Sequence, residues 1–125
     1  MGFARFEDIE AWQAARELAR QAFALGRSEP LRHSWAIRDQ LERAALSCMN
    51  NIAEGFGRNS NPDFARFLWI ASGSAREVQS CLWAGLDADL ISGDDAERLR
   101  GLAEEVAGKS ARLARYLQQN PKPGA

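Results

Sequence analysis

Apolar residues recur every three or four positions along four stretches of this chain, which is the period of an amphipathic helix. The stripe nearest the C-terminus is regular and consists of Leu99, Leu102, Val106, Leu113 and Leu117. The preceding stretch repeats the pattern with Phe64, Phe67, Leu68, Ala71, Ala75, Val78 and Leu82. No segment alternates with the two-residue period of a β-strand. The pattern therefore predicts an all-α protein.

Three polar segments that contain glycine or proline separate these stretches, at residues 26–34, 55–63 and 87–95. The pattern between them predicts helices over about residues 6–26, 33–57, 62–89 and 93–119. Short links between long helices favour an up-down-up-down antiparallel four-helix bundle, which we expect to cover residues 1–120. Residues 121–125 include two prolines and are expected to form a disordered tail.

The second helix ends in a polar sequence, NNIAEGFGR, at residues 50–58. Helical geometry places Ile52 and Phe56 toward the core, and the asparagines and the glutamate at its edge or outside it. One interpretation is a structural network that closes the helix, formed by Asn50, Asn51, Glu54 and Arg58. The other is a polar recognition patch built from Asn50, Glu54, Arg58 and Asn59. A catalytic role is disfavoured because the lone glutamate has no second acid, metal or nucleophile beside it.

Residues with capping preferences flank the predicted helices. Gly57 is expected to end the second helix in the left-handed conformation, which glycine adopts without a steric penalty. Asn61 is expected to cap the third helix, and Ser92 or Asp94 the fourth, because their side-chain oxygens accept hydrogen bonds from free backbone N–H groups. These caps agree with the helix limits that the apolar pattern predicts.

The second and third helices are expected to fold back on each other near residue 60, where the link between them is short. In that register Glu54 lies opposite Arg66. The same register places Ser47 opposite Gly73, within a run of small residues that permits a close helix crossing. The polar end of the second helix should therefore contact the start of the third.

Charge limits the classes of function. The chain carries 16 lysines and arginines against 17 aspartates and glutamates, and its pI is about 5.9. It thus lacks the overall basic footprint of a nucleic-acid-binding domain. Four arginines are candidate nucleic-acid or partner contacts: Arg38, Arg43, Arg58 and Arg66. The alternative is that they pair within the chain with Asp39, Glu42, Glu54 and Asp63. Nucleic-acid binding through so few cations should be weak and salt-dependent.

Residues that could bind a metal or catalyse a reaction are sparse. His33 is the single histidine, Cys48 and Cys81 are expected at different heights of the bundle, and no Glu-x-x-His pair is present. We therefore expect reduced cysteines, no metal, no cofactor, no small-molecule substrate and no enzymatic activity. No apolar run reaches the ~20 residues of a membrane span, so a cytoplasmic protein without membrane contact is expected.

Trp69, Arg76 and Trp83 are spaced seven residues apart on the third helix and face away from the predicted core. Burying tryptophan is favourable, and interfaces are enriched in tryptophan and arginine. One interpretation is that the rings lie flat along the surface, and the other is a subunit interface. Gly101 and Gly108 on the fourth helix form a candidate groove for this stripe in a neighbouring copy. Such a head-to-tail contact would close a ring.

Three segments of the chain resemble a known family: FEDIEAWQAARELA (6–19), RDQLERAALSCMNNIAEGFGRNS (38–60) and DFARFLWIASGSAREVQSCLWAG (63–85). The chain resembles the four-helix-bundle proteins encoded in intervening sequences of large-subunit ribosomal RNA genes, which include the accessory variability determinant of diversity-generating retroelements. The resemblance implies an up-down bundle, no known enzymatic activity and assembly into a pentameric ring. For the retroelement branch it further implies binding to a reverse transcriptase and to nucleic acid.

Together these observations predict a non-enzymatic homo-oligomeric scaffold or adaptor, with a pentamer favoured. We expect it to act with a protein or nucleoprotein partner, such as a reverse transcriptase or ribosomal RNA. The alternative is a protein that binds RNA or DNA directly through the arginines of the second and third helices.

Overall fold

A computed structural model describes residues 2–121 of the chain. Its α-helices are, in chain order, α1 (Glu10–Arg27), α2 (Trp35–Phe56), α3 (Asn61–Asp87) and α4 (Gly93–Gln119). Short 3-10 turns at Phe6–Asp8 and Leu31–His33 precede α1 and α2. The described residues contain no strand, so the all-α prediction is confirmed. Of the predicted tail, everything after Pro121 lies outside the described residues.

The helices form an antiparallel four-helix bundle in which each helix packs against the next and α4 packs against α1. On α4, Lys109 Nζ donates to Glu10 Oε1 over 3.2 Å, and Arg98 Nε donates to Gln21 Oε1 over 3.3 Å. Because increasing numbers on α4 meet decreasing numbers on α1, these helices run in opposite directions. The α1–α2 and α3–α4 links therefore lie at one end of the bundle, which we call the double-link end.

The core is filled by one stripe from each helix, as the apolar pattern predicts. The α1 stripe is rich in alanine, with Ala11, Ala15 and Ala22 buried around Leu18. Small side chains let α1 approach its neighbours closely, while larger side chains fill the other three stripes. Each fully buried leucine or isoleucine contributes about 1.5–3 kcal/mol of transfer free energy. The stripes thus account for most of the driving force that holds the helices together.

The first two helices begin later than the sequence pattern predicts. Residues 6–8 form a separate 3-10 turn, and Ile9 follows it in an extended conformation with φ −77° and ψ 122°. The Ile9 side chain is fully buried. Inserting it into the core takes the backbone out of the helical path, so α1 starts only at Glu10. On α2, a 3-10 turn that buries Leu31 similarly delays the start to Trp35.

Two capping predictions were wrong. Gly57 ends α2 with φ −78° and ψ 0°, a right-handed conformation, because its N–H bonds back to Glu54 O at 3.0 Å in a tight turn. Ser60, rather than Asn61, caps α3, since the Ser60 side chain accepts from the Asp63 N–H. Asn61 is buried and donates from Nδ2 to Asn120 O over 2.6 Å, joining α3 to the end of α4.

The cap of α4 is formed by Ser92, one of the two residues proposed for it. The Ser92 hydroxyl accepts a hydrogen bond of 3.1 Å from the backbone N–H of Asp95, three residues later in the chain. Ser92 is extended, with φ −71° and ψ 158°, which is the backbone geometry of an N-cap residue. The serine therefore satisfies one of the free backbone donors at the start of α4.

Candidate functional site

The asparagine pair at the end of α2 does not act as one unit. Asn51 Nδ2 donates to both the backbone oxygen and the hydroxyl of Ser47, each at 2.9 Å. Ser47 Oγ lies 2.8 Å from Ser74 Oγ on α3, so the predicted contact with Gly73 was wrong by one residue. Asn50 is exposed and forms no side-chain hydrogen bond with any residue from 2 to 121, so it does not belong to the predicted network.

A second polar cluster, formed by Glu54, Arg58, Asp63 and Arg66, joins α2 to α3. Arg58 Nη2 lies 2.7 Å from Glu54 Oε2 and its Nε lies 3.8 Å from Asp63 Oδ2. Arg66 Nε lies 3.0 Å from Asp63 Oδ1. Arg58 therefore balances the charge of Glu54, as expected for this network, whereas Arg66, which the register placed opposite Glu54, pairs with Asp63 one helical turn before it.

An aromatic ring organises this second cluster. The guanidinium carbons of Arg58 and Arg66 lie 4.7 and 4.5 Å from the centre of the Phe67 ring, within cation–π range. Phe67 itself is buried, and α2 comes so close to it that a Cβ on Gly55 would lie 2.7 Å from Phe67 Cβ. Only glycine fits at this crossing. The sequence NNIAEGFGR thus closes the α2–α3 hairpin, which agrees with its structural interpretation.

The four candidate arginines do not form one basic patch. Arg43 Nε bonds to Asp39 Oδ2 at 2.9 Å, and Arg58 and Arg66 are paired as described above. Arg38 has no carboxylate partner within residues 2–121; its Nη1 donates to Arg32 O, and its Nε is buried without a partner. Arg38 and Arg58 also flank opposite ends of α2, about 30 Å apart at 1.5 Å per residue. Three of the four charges are therefore balanced locally.

The outer face of α3 exposes large apolar side chains. Trp83 is 60% exposed, Ile70 is 41% exposed and Trp69 is 38% exposed. Between Trp69 and Ala84, the exposed positions include only two charged residues, Arg76 and Glu77. The sequence prediction that both tryptophans face away from the core is therefore confirmed, and Ile70 is a further exposed apolar residue of α3, about 100° around the helix from Trp69.

Contacts to α4 of the same chain use part of this stripe. Arg76 Nη1 lies 2.7 Å from Glu104 Oε1, a hydrogen bond that raises the pKa of Arg76 and, together with Gln79, lowers the pKa of Glu104. The Arg115 guanidinium lies 5.6 Å from the centre of the Trp69 ring. Arg76 and one face of Trp69 thus belong to the α3–α4 seam, whereas no guanidinium of residues 2–121 lies over the Trp83 ring.

The glycine groove proposed on α4 is only half open. At Gly101 a Cβ would meet no atom within 4 Å. At Gly108 it would lie 3.2 Å from Nη1 of Arg112, and Gly108 itself is half-buried. A side chain of the same chain therefore covers one of the two glycines, so the groove is a poor receiver for the Trp69–Trp83 stripe.

Sequence reasoning missed two further exposed apolar residues on α2. Trp35 is 69% exposed and Leu46 is 41% exposed. Leu46 could have been found, because it lies two residues before buried Cys48 and so points to the opposite side of the helix. Trp35 is the first residue of α2, so no preceding helical turn indicates whether its side chain faces the core or the solvent. The bundle thus exposes tryptophan on both α2 and α3.

Reactive groups are not gathered anywhere in the described chain. Burial raises the pKa of the Cys48 thiol to about 12 and also raises that of Cys81, so both free thiols are protonated at neutral pH. Within residues 2–121, no three metal-binding side chains come together. No helix in this part of the chain is long and apolar enough to cross a membrane. The exposed apolar faces are therefore the surfaces most distinctive of this molecule.

The fold and these surfaces define a small four-helix-bundle protein with exposed aromatic faces. This chain belongs to the family described as 23S rRNA-intervening sequence protein, whose model matches residues 7–111. The family resemblance drawn from the sequence is thereby confirmed. That description names no catalytic activity. A comparison with curated proteins gives no match.

Proposed function

We propose that this protein is a non-enzymatic scaffold that assembles with copies of itself in the cytoplasm and presents the assembly to a protein or nucleoprotein partner. The outer face of α3, with Trp69, Ile70 and Trp83, carries this proposal. Large exposed apolar side chains that lie together on a surface are a feature of interaction sites. Three of the four candidate arginines are paired within the chain, and both thiols are protonated at neutral pH, so neither group favours a different function.

The apolar character of α3 is the physical argument for self-association. A helix that is polar on its outer face is satisfied by water, whereas one that is apolar on both faces gains by burying the second face. Tryptophan and arginine are the residue types most enriched at the centres of interfaces. A pentameric ring is the assembly we favour, because the family resemblance implies it and a head-to-tail contact closes a ring.

Direct nucleic-acid binding is the weaker proposal. The chain is slightly acidic, and Arg43, Arg58 and Arg66 already have carboxylate partners. Contact with a few phosphates gives low affinity that falls steeply between about 50 and 200 mM salt. We expect any binding of a fluorescent single-stranded or duplex RNA to disappear over that range. Tight binding that persists at high salt, or that is unchanged in Arg43→Ala with Arg58→Ala, would contradict this expectation.

The mass of the purified protein tests the scaffold proposal. Light scattering at micromolar concentration should give a multiple of the 13.8 kDa chain, with five copies favoured. Replacing Trp69 and Trp83 together by glutamate should give smaller species whose circular dichroism remains helical, because both side chains project outward.

A matched control adds the same two negative charges elsewhere. Gln118→Glu with Gln119→Glu alters two exposed residues at the end of α4, at the opposite end of the bundle from Trp83. We expect this control to keep the mass of the natural protein. A natural protein that is monomeric at micromolar concentration would overturn the scaffold proposal, and an unchanged mass in the tryptophan double variant would remove α3 from the interface.

A further inference from the structure

We propose that the Trp83 end of α3 docks onto the Trp35 end of α2 in the next copy, so that each copy offers one of these surfaces to each neighbour. The Trp83 surface comprises residues 83–95, and the Trp35 surface comprises residues 27–38. This inference rests on the proposed self-assembly and names the two surfaces that would meet in it.

The two surfaces lie at the same height. Residues 27–38 contain the α1–α2 link and residues 83–95 contain the α3–α4 link, and both links are at the double-link end of the bundle. Two copies that stand side by side and point the same way therefore bring these surfaces level with each other. No tilting or sliding of one bundle along the other is required.

The two surfaces also face different sides of the bundle. Trp83 lies seven residues after Arg76, whose side chain bonds to Glu104 of α4, so Trp83 borders the α3–α4 seam. Trp35 lies seven residues before Glu42, whose carboxylate packs against Gly26 of α1, so Trp35 borders the α1–α2 seam. Contacts between unlike surfaces on different sides of a molecule are head-to-tail, and such contacts close into a ring when the rotation from one copy to the next allows it.

Their charges are opposite. Residues 83–95 contain four aspartates and no basic residue, and Asp87, Asp89 and Asp94 have no ion-pair partner within residues 2–121. Residues 27–38 contain three arginines and one glutamate, and Arg27 and Arg38 likewise have no carboxylate partner there. Opposite potentials across an interface fix its register and exclude like-with-like pairing. Charge thus favours one surface meeting the other and opposes either meeting itself.

The Trp83 surface has a shape that can receive a side chain. A recess of about 80 Å³ lies between α3 and α4, lined by Trp83, Leu86, Gly93 and Ala96 among others. A Cβ on Gly93 would meet no atom within 4 Å, so the mouth of the recess is open. We infer that the exposed edge of the Trp35 indole of the next copy enters here and stacks beside Trp83.

A mixing experiment tests this pairing of unlike surfaces. Trp35→Glu spoils one surface only, and glutamate suits the first turn of a helix. Trp83→Gln spoils the other surface only, at an exposed position. Each variant alone should be monomeric by light scattering, at 13.8 kDa. Because each keeps the surface that the other lacks, an equimolar mixture should form a dimer of twice that mass and nothing larger.

Charge reversal provides a second, independent readout. Asp87→Arg with Asp94→Arg should dissociate the assembly, because the Trp83 surface would then carry the same sign of charge as the Trp35 surface. A second, differently labelled chain carries Arg27→Asp with Arg32→Asp instead. Mixing the two variants should restore contacts between differently labelled chains. Asp89 is left unchanged because its φ of 59° tolerates few residues. Circular dichroism checks that every variant remains helical.

The outcomes separate this inference from the proposed function. A monomeric natural protein overturns both. An oligomeric natural protein whose two tryptophan variants each keep the full mass, or whose mixture stays monomeric, overturns the pairing of surfaces and leaves the scaffold proposal standing. A mixture that regains the full ring mass also overturns it, since each mixed pair has only one intact interface.

Discussion

α3 and α4 are adjacent helices of equal length, 27 residues each, yet their outer faces have opposite character. Every exposed position of α4 holds a charged residue, an amide or a glycine. Many of its charges are paired within the helix, as in Arg98 with Asp95 and Arg100 with Glu97. α3 instead exposes two tryptophans and an isoleucine. The outer face of α4 is polar, whereas the exposed tryptophans of α3 leave apolar area in water that a second protein surface would bury.

The inner faces of the two helices differ as well. α3 forms side-chain hydrogen bonds with both of its neighbours, from Ser74 to Ser47 of α2 and from Ser72 to the backbone oxygen of Ala107 of α4. α4 buries a serine, Ser110, whose hydroxyl has no hydrogen-bond partner within residues 2–121. α3 therefore differs from α4 in two ways: its inward-facing serines are hydrogen-bonded to neighbouring helices, and its outer face exposes apolar side chains. This difference can be tested by making the same substitution at a position packed against α3 and at a position on α4, and comparing the free energies of unfolding.

The largest expected effect concerns the close packing of α3 against α2. Gly55→Ala should lower the free energy of unfolding by about 1–3 kcal/mol, because the new methyl group would overlap Phe67 and Phe64. The matched change on the outer face of α4, Gly101→Ala, should raise it by about 0.5–1 kcal/mol, since the site is open and alanine favours a helix. Urea unfolding measures both, and equal losses would contradict the comparison.

Effects of intermediate size on the free energy of unfolding are expected at the two buried serines, with a loss of stability at one and a gain at the other. Ser74→Ala should lower the free energy of unfolding by about 0.5–1.5 kcal/mol, because it removes the hydrogen bond to Ser47. Ser110→Ala should raise it by about 1 kcal/mol, since an unpaired buried hydroxyl carries a desolvation cost. The same denaturation experiment compares them. A loss at both positions would mean that the α4 hydroxyl has a partner after all.

The smallest effect concerns the ion pair that joins the two helices at the surface. Hydrogen bonds from Arg76 and Gln79 hold the pKa of Glu104 below its ordinary value of 4.5. A lowered folded pKa contributes stability above the ordinary value and loses it as the pH falls through the folded value. Glu104→Gln should therefore reduce the drop in Tm between about pH 5 and pH 3. Thermal melts across this range measure it, and an unchanged drop would contradict the assignment.

Most of the fold was predictable because helical periodicity is a local property. The apolar stripes of α3 and α4, the glycine- and proline-containing links and the Ser92 cap are each set by residues close together in the chain. For the same reason the outward direction of Trp69 and Trp83 followed from their angular position alone. Local reasoning failed where a buried side chain displaced the backbone, as Ile9 does before α1.

The tertiary structure decided how the helices meet. One residue along a helix turns a side chain by about 100°, so a small error in register exchanged Gly73 for Ser74 as the partner of Ser47. The need for glycine at Gly55 comes from Phe67, twelve residues away on another helix. That Trp35 and Trp83 share one end of the bundle on different sides depends on all four helices together. The sequence determined which elements form, and their mutual packing determined which surfaces they leave exposed.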